Sequence, residues 1–192
     1  MNTSEPLANP FVSYQPTQSG SVVTRRASAE EWGVCVDIAA SLPNFFTREA
    51  VHEMLPGDLG RFGALVAEVN RSVAGFLVAC RKTPGIAEIL WLAVREQAQG
   101  QGVGSALIQG TVDACRAEAV RILEVKTLAP GTSDVGYNAT RRFYEARSFE
   151  LLEIIDPYPG WNPGNPCAIY VKPLYLLGAG ATEETSRRMP DV

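Results

Sequence analysis

The residues with the most direct chemical potential form a short glycine-rich stretch, Gln99-Gly100-Gln101-Gly102-Val103-Gly104. It follows the apolar run Ile86 to Val94 and precedes a segment with helical spacing that begins near Val103. Glycine lets the backbone approach a ligand without an intervening Cβ, and the first turn of a helix adds unpaired N–H groups and a positive dipole end. The pattern therefore predicts a phosphate-binding loop.

Two common phosphate-binding loops fit this stretch poorly. Gly100, Gly102 and Ser105 approximate a dinucleotide fingerprint, and Glu124 lies where a ribose-binding acid could follow. However, Glu124 falls inside a predicted strand, the loop follows an antiparallel meander, and too little chain remains for a doubly wound sheet. No Gly-Lys-Ser/Thr follows the glycines, which excludes a Walker loop.

The elements that position the loop follow from hydrophobic periodicity and turn residues. Helices are predicted from Ala29 to the region before Pro43, from Thr47 to Leu55, from Val103 to near Val120, and from about Tyr137 to Arg147. Strands are predicted at Val22–Thr24, Phe62–Val69, Ser72–Cys80, Ala87–Val94, Ile122–Leu128, Leu151–Ile155 and Ala168–Val171. The strand, helix and strand around the glycine loop should form a right-handed crossover with parallel strands.

A second block of reactive residues lies in the last predicted helix, Tyr137-Asn-Ala-Thr-Arg-Arg-Phe-Tyr-Glu-Ala-Arg-Ser-Phe149. Together with the Gln-x-x-Gly-x-Gly loop, it resembles the GNAT superfamily of acetyl-CoA-dependent N-acetyltransferases over about Val22 to Pro173. The resemblance implies a single α/β domain, with a mixed, strongly twisted sheet of about seven strands flanked by helices. Two positions depart from the family pattern: Ser148 replaces the usual Gly, and Tyr137 replaces a frequent Asn, with Asn138 one step displaced.

The resemblance implies acetyl-CoA as co-substrate and no metal. The diphosphate is expected against the N–H groups of Gln101 to Ser105, and the pantetheine arm is expected to pair with the backbone around Leu92 and Val94. An N–H group near Ala93 or Val94 would stabilise the oxyanion. The predicted cofactor contacts are Leu92, Ala93, Val94, Gln99, Gly100, Gln101, Gly102, Val103, Gly104, Ser105, Asn138 and Tyr144.

Two residues are the candidates for acid and base chemistry. An alkyl amine with a pKa of about 10.4 is mostly protonated at neutral pH, so a base must deprotonate it before attack. Glu88 is similar in position to the family's catalytic glutamate; the alternative is a carboxylate in a salt bridge or on a solvated face. Tyr144 occupies the family's usual position for the acid that protonates the CoA thiolate; the alternative is an aromatic ring that packs on the sheet.

Substrate recognition is assigned to the aromatic residues Phe45, Phe46, Tyr158 and Trp161, which flank the acceptor groove in this superfamily or else fill the edge of the core. A small-molecule amine is preferred over a basic peptide because the acceptor loops contain no obvious acidic cluster. A non-catalytic acyl-CoA-binding sensor or scaffold is the alternative function. A homodimer is left open.

Composition restricts the remaining possibilities. The 192 residues are 46% hydrophobic and 20% charged, which suits one domain, with residues 21–177 as its body and 1–20 and 178–192 as flexible ends. A net charge of −4 argues against binding to nucleic acids or anionic membranes. The four cysteines form no CxxC pair, and neither an export signal nor a long apolar run is present, so a cytoplasmic protein is expected.

Overall fold

One eight-stranded sheet organises the chain in the computed structural model, which describes residues 9–130 and 135–174. The strands are β1 (Thr17–Ser19), β2 (Val22–Arg26), β3 (Leu65–Val69), β4 (Ser72–Thr83), β5 (Ile86–Val94), β6 (Ile122–Leu128), β7 (Glu150–Ile155) and β8 (Cys167–Pro173). Their order is β1-β2-β3-β4-β5-β6-β8-β7, and only β5 and β6 pair in parallel among the described strands. The predicted mixed α/β fold and its parallel crossover are confirmed.

Within the described residues, four α-helices cover the two faces of the sheet. They are α1 (Trp32–Ala40), which follows a 3-10 turn at Ala29–Glu31; α2 (Leu55–Phe62), which continues a π-helical turn at Ala50–Met54; α3 (Val103–Ala117); and α4 (Val135–Glu145). Side chains of α3 pack on one face of the sheet, and side chains of α1 and α2 pack on the other. None of these helices is long and apolar enough to span a membrane.

An extra residue in β5 decides which of its side chains face each layer. The β4–β5 register shifts between Val78 and Ala79, leaving Leu90 as a bulge between Ile89 and Trp91. Because a bulge reverses the alternation of a strand, Ile89 packs in the core beside α3, whereas Trp91 packs in the core beside α1 and α2. The strand before the glycine loop thus contributes to both layers.

The structure differs from the sequence predictions at the first strands and at the second helix. Residues 9–20 contain strand β1 and the buried Phe11, in place of the loosely ordered stretch predicted there. The helical segment does not end at Pro56 but continues to Phe62. Pro56 lies at the start of α2, where the π-helical turn Ala50–Met54 changes to α-helix. Of the predicted flexible ends, 1–20 and 178–192, the parts at residues 1–8 and 178–192 lie outside the described residues.

Candidate active site

The glycine loop joins β5 to α3 and has the backbone geometry of an anion cradle. Gly100 and Gly102 have φ angles of +75° and +85°, which favour glycine, and a Cβ at either position would meet no atom within 4 Å. Gly102 caps α3, whose first helical bond runs from Ala106 N to Gly102 O at 2.9 Å. The amides of Val103, Gly104 and Ser105 therefore have no acceptor in the preceding helical turn.

Gly104 meets a different requirement from the two glycines before it. A Cβ at this position would lie 2.9 Å from ring carbons of Phe143, so glycine allows α4 to pack closely against the first turn of α3. The side chains of the loop glutamines brace the turn itself, because Gln99 donates to the carbonyl of Val94 at 3.2 Å and Gln101 donates to that of Gln97 at 2.7 Å. A groove of about 720 Å³ opens beside Gln101, Gly102 and Ser105.

Strands β5 and β6 diverge next to this loop. Their parallel pairing ends at Ile89 with Val125, although β5 continues to Val94 and β6 continues to Leu128. The backbone of residues 90–94, including the predicted cofactor contacts Leu92 and Ala93, therefore has no described strand hydrogen-bonded to it on the β6 side. An extended ligand could add to this edge as a strand does.

Tyr144 lies in α4 and is almost completely buried, with 5% of its surface exposed. The rings of Phe143 and Phe149 pack edge-on against it, each with a centroid distance of 5.3 Å. Burial raises the pKa of the Tyr144 phenol, which keeps the hydroxyl protonated at neutral pH. Among the described residues no hydrogen bond to this hydroxyl is found, so its proton is available to a ligand.

Glu88 belongs to a cluster of four charged side chains on β4, β5 and β6. Lys126 Nζ lies 2.5 Å from a Glu88 oxygen and 3.0 Å from a Glu124 oxygen, and Lys82 Nζ lies 3.2 Å and 3.1 Å from the same two carboxylates. Burial by itself would lower the pKa of Lys126, but its hydrogen bonds to both carboxylates outweigh burial and raise it. The salt-bridge alternative for Glu88 is therefore realised in this structure, and the cluster carries no net charge.

The four predicted substrate-binding aromatics lie in two separate loops, one before α2 and one between β7 and β8. Phe46 packs on Trp91 at a centroid distance of 5.5 Å, and Phe45 lies 5.6 Å from the ring of Tyr137, whose hydroxyl donates to the Phe45 carbonyl at 2.9 Å. The loop before α2 is thus attached to α4 at the position where the family frequently has Asn.

Tyr158 and Trp161 lie in the loop between β7 and β8 and contact each other, with ring centroids 5.4 Å apart. The Tyr158 ring lies 5.7 Å from Lys126 Nζ, so this pair borders the cluster that holds Glu88. Tyr158 is thereby connected to the predicted catalytic residue Glu88 through Lys126.

The structure does not bring Asn138 to the buried side of α4. Asn138 is exposed, whereas Tyr137, seven residues before Tyr144 and therefore on the same face of the helix, contacts the Phe45 loop. The one-step displacement noted in the sequence thus has a structural consequence, and a cofactor contact from Asn138 stays a prediction.

Residues 60–151 match the family model of the acetyltransferase (GNAT) domain, and this range contains the diverging strands, the glycine loop and Tyr144. The chain carries a GNAT acetyltransferase domain. No sequence among the curated proteins matches it.

Solved structures of other acetyltransferases share the fold of this GNAT domain. A putative GNAT acetyltransferase from Desulfovibrio desulfuricans matches with a TM-score of 0.68 and 24% identity, covering 80% of this chain and 99% of its own. A GNAT family acetyltransferase from Elizabethkingia anophelis with acetyl-CoA bound matches with a TM-score of 0.63 and 18% identity, over 81% of this chain and 100% of the other. The ribosomal-protein-S18-alanine N-acetyltransferase from Escherichia coli matches with a TM-score of 0.59 and 17% identity, over 85% of this chain and 99% of the other.

Sequence reasoning missed three side-chain contacts near the candidate site. Lys126 was not recognised as the partner of Glu88, although the parallel register pairs Glu88 with Glu124 and so places Lys126 on the same face. The bond from Tyr137 to the Phe45 carbonyl and the contact of Arg147 with Ser105 join residues far apart in the chain. No local pattern marks such contacts in advance.

Proposed function

We propose that the GNAT domain binds acetyl-CoA and transfers its acetyl group to the primary amine of a small molecule by direct attack in a ternary complex. The observation that carries the proposal is the adjacency of two open backbone surfaces, the amides of Val103 to Ser105 and the unpaired edge of β5. A diphosphate suits the first surface because it is anionic, and an extended amide-containing arm suits the second. Acetyl-CoA has both parts.

Tyr144 is the proposed general acid. When the amine attacks the thioester carbonyl, a C–N bond forms, and collapse of the tetrahedral intermediate breaks the C–S bond and leaves a thiolate. The phenol of Tyr144, protonated and without a described acceptor, gives its proton to the sulfur. An N–H group of Ala93 or Val94 is proposed to stabilise the oxyanion.

Glu88 is the proposed general base, and its ion pairs specify how it must act. The carboxylate accepts the proton that the attacking nitrogen loses, directly or through one water molecule. Because Lys126 and Lys82 both contact this carboxylate, at least one ion pair must loosen as the proton arrives. The proposed Glu88 step therefore includes a rearrangement of the cluster.

The cysteines support direct attack over an acyl-cysteine intermediate. All four are free and buried, and burial raises the pKa of Cys80 and Cys167 to about 11 and that of Cys35 and Cys115 to about 12. A thiol must ionise before it can attack a thioester, so these side chains are poor nucleophiles at neutral pH. Free thiols also fit the cytoplasm, where we propose that the protein acts.

The charges near the proposed acceptor site support a small amine over a strongly basic peptide. Glu88 and Glu124 are each paired with lysine, so neither presents an uncompensated carboxylate. Tyr158 and Trp161 offer apolar surface beside this balanced cluster. A lysine-rich peptide would find little electrostatic attraction here.

Titration calorimetry with CoA and acetyl-CoA, followed by a thiol-release assay against a panel of amines, tests the proposal. Gly102→Asp places a carboxylate beside the proposed diphosphate site and should abolish binding. Gly164→Asp is the matched control, because Gly164 has a φ of +84° and equally open surroundings in a different loop. Binding by the wild type and by Gly164→Asp, with release of thiol for at least one amine, is the expected result.

The same two measurements separate the enzyme from the sensor alternative. A protein that binds acetyl-CoA but releases no thiol with any amine class would be a binding module. A protein that shows no heat of binding with either ligand would refute both readings.

A further inference from the structure

Arg147 reaches from the C-terminal end of α4 to the first turn of α3. Its guanidinium donates to the hydroxyl of Ser105 and, at 2.6 Å, to the carbonyl of Phe143. The guanidinium carbon also lies 3.7 Å from the centroid of the Phe143 ring. The side chain is therefore fixed in position by three contacts beside the glycine loop.

The charge of Arg147 has no counter-ion in the part of the chain that the structure describes. No carboxylate forms a salt bridge with it there, and its Nε is buried without a hydrogen-bond partner. Burial lowers the pKa of this guanidinium, as expected for a cation that loses water without gaining an anion. A partly desolvated, unpaired cation is unfavourable unless an anion completes its surroundings.

The location of Arg147 indicates which anion would complete the surroundings of its guanidinium. Ser105 is the last residue of the amide cradle proposed for the diphosphate, so the guanidinium stands at the rim of that cradle. The loop's own polar side chains, Gln99 and Gln101, are neutral and are engaged with backbone carbonyls. A planar guanidinium presents paired N–H groups that match two phosphate oxygens.

We propose that Arg147 binds a phosphate group of CoA, with Ser105 and Phe143 holding the guanidinium in place for it. This inference rests on the proposed function, since it requires that CoA occupies the glycine loop. The phosphate is either the diphosphate or the 3′-phosphate, and the affinity of the protein for 3′-dephospho-CoA distinguishes them.

The test compares Arg147→Met and Arg147→Lys with the wild type by titration calorimetry, using CoA and 3′-dephospho-CoA. Arg147→Met should weaken CoA binding by about 10- to 100-fold, the usual effect of losing a hydrogen bond to a charged group. Arg147→Lys keeps the charge without the planar fork and should fall between. The matched control is Arg61→Met. Arg61 is exposed, and its guanidinium carbon likewise lies over a phenylalanine ring, 5.1 Å from the centroid of Phe62.

The two ligands identify the phosphate. If Arg147 binds the 3′-phosphate, Arg147→Met should lose most of its preference for CoA over 3′-dephospho-CoA. If it binds the diphosphate, both ligands should weaken by the same factor. Either pattern supports the inference.

Unchanged CoA affinity in Arg147→Met, with a wild type that binds CoA, would overturn this inference and leave the proposed function intact. A wild type that does not bind CoA would overturn both. If Arg147→Met fails to fold, as judged by thermal unfolding, Arg147→Lys decides the matter: wild-type affinity for both ligands and an unaltered dependence on salt would refute phosphate binding.

Discussion

Tyr144 and Phe149 close the C-terminal end of α4 together, through a backbone bond from Phe149 N to Tyr144 O at 3.2 Å and an edge-on ring contact at 5.3 Å. Between them, Ser148 N donates to Glu145 O at 3.0 Å, and Ser148 adopts a φ of +60°. This pattern is a Schellman motif with serine where glycine is usual. Helix α3 ends in the same way, with Ala119 at a φ of +57° and a bond from Val120 N to Cys115 O at 2.9 Å.

The two motifs predict a stabilising substitution at each helix end. A left-handed backbone conformation destabilises a residue other than glycine by about 1–2 kcal/mol. Substitution by glycine removes this destabilisation, but the greater freedom of glycine in the unfolded chain offsets part of the effect. Ser148→Gly and Ala119→Gly should therefore each raise the free energy of unfolding by about 0.5–1 kcal/mol and should be nearly additive. Denaturant unfolding measures this, with Ala117→Gly inside the last turn of α3 as a destabilising control.

Replacement of Tyr144 by Phe should separate catalysis from binding. The phenol hydroxyl has no described hydrogen-bond partner, so its removal costs the fold little, while the proposed thiolate acid is lost. We expect kcat to fall by about 100-fold or more, with the Kd for acetyl-CoA changed by less than about threefold. Steady-state kinetics and calorimetry check this, and an undiminished kcat would remove Tyr144 from the mechanism.

Glu88→Gln should slow acetylation at neutral pH and recover at high pH. An alkyl amine loses its proton to solvent as the pH approaches about 10, so the need for an enzyme base declines there. Glu124→Gln is the matched control because Glu124 contacts the same two lysines. Rate profiles from pH 6 to 10 should rise steeply for Glu88→Gln alone. Equal losses in both variants would assign the effect to the charge balance of the cluster.

Glu31 should contribute to stability in a pH-dependent manner. Hydrogen bonding to Arg25 lowers the pKa of this carboxyl from 4.5 to about 2, against the opposing effect of burial and with help from the N–H of Ser28. Because the folded pKa is the lower one, the stabilisation is complete above about pH 5 and disappears as the pH falls towards 2.

Glu31→Gln should therefore lower the free energy of unfolding by about 1 kcal/mol at pH 7, after allowance for solvent screening, and by almost nothing at pH 2. The neighbouring exposed Glu30 supplies the control variant Glu30→Gln. Thermal unfolding across this pH range measures the difference, and a loss that stays constant down to pH 2 would contradict the ion-pair explanation.

Local patterns were sufficient for the elements that build the site. The alternating residues of β6 and the glycine loop predicted strand Ile122–Leu128 and a helix starting at Val103, and the structure places both at those residues. Patterns failed where one residue type is compatible with two structures. Pro56 was interpreted as the end of a helix, whereas it stands in the first turn of α2.

The finer arrangement of the site could not be predicted, because it depends on contacts between distant segments. The bulge at Leu90 exists only through its register with β4, and it redistributes the side chains of β5 between two layers. Likewise, the ion pair of Glu88 with Lys126 requires that β5 and β6 already lie side by side. Sequence spacing gave the candidates for chemistry, and tertiary packing decided their neighbours.

The close approach of Phe143 to Gly104 gives this glycine a packing role that does not depend on cofactor binding. Interhelical packing alone would preserve that glycine in a descendant whose cofactor chemistry had decayed. Retention of position 104 is consequently weak evidence that an evolutionary descendant is still active, and the phenolic oxygen at position 144, which no described packing contact requires, is the more informative marker.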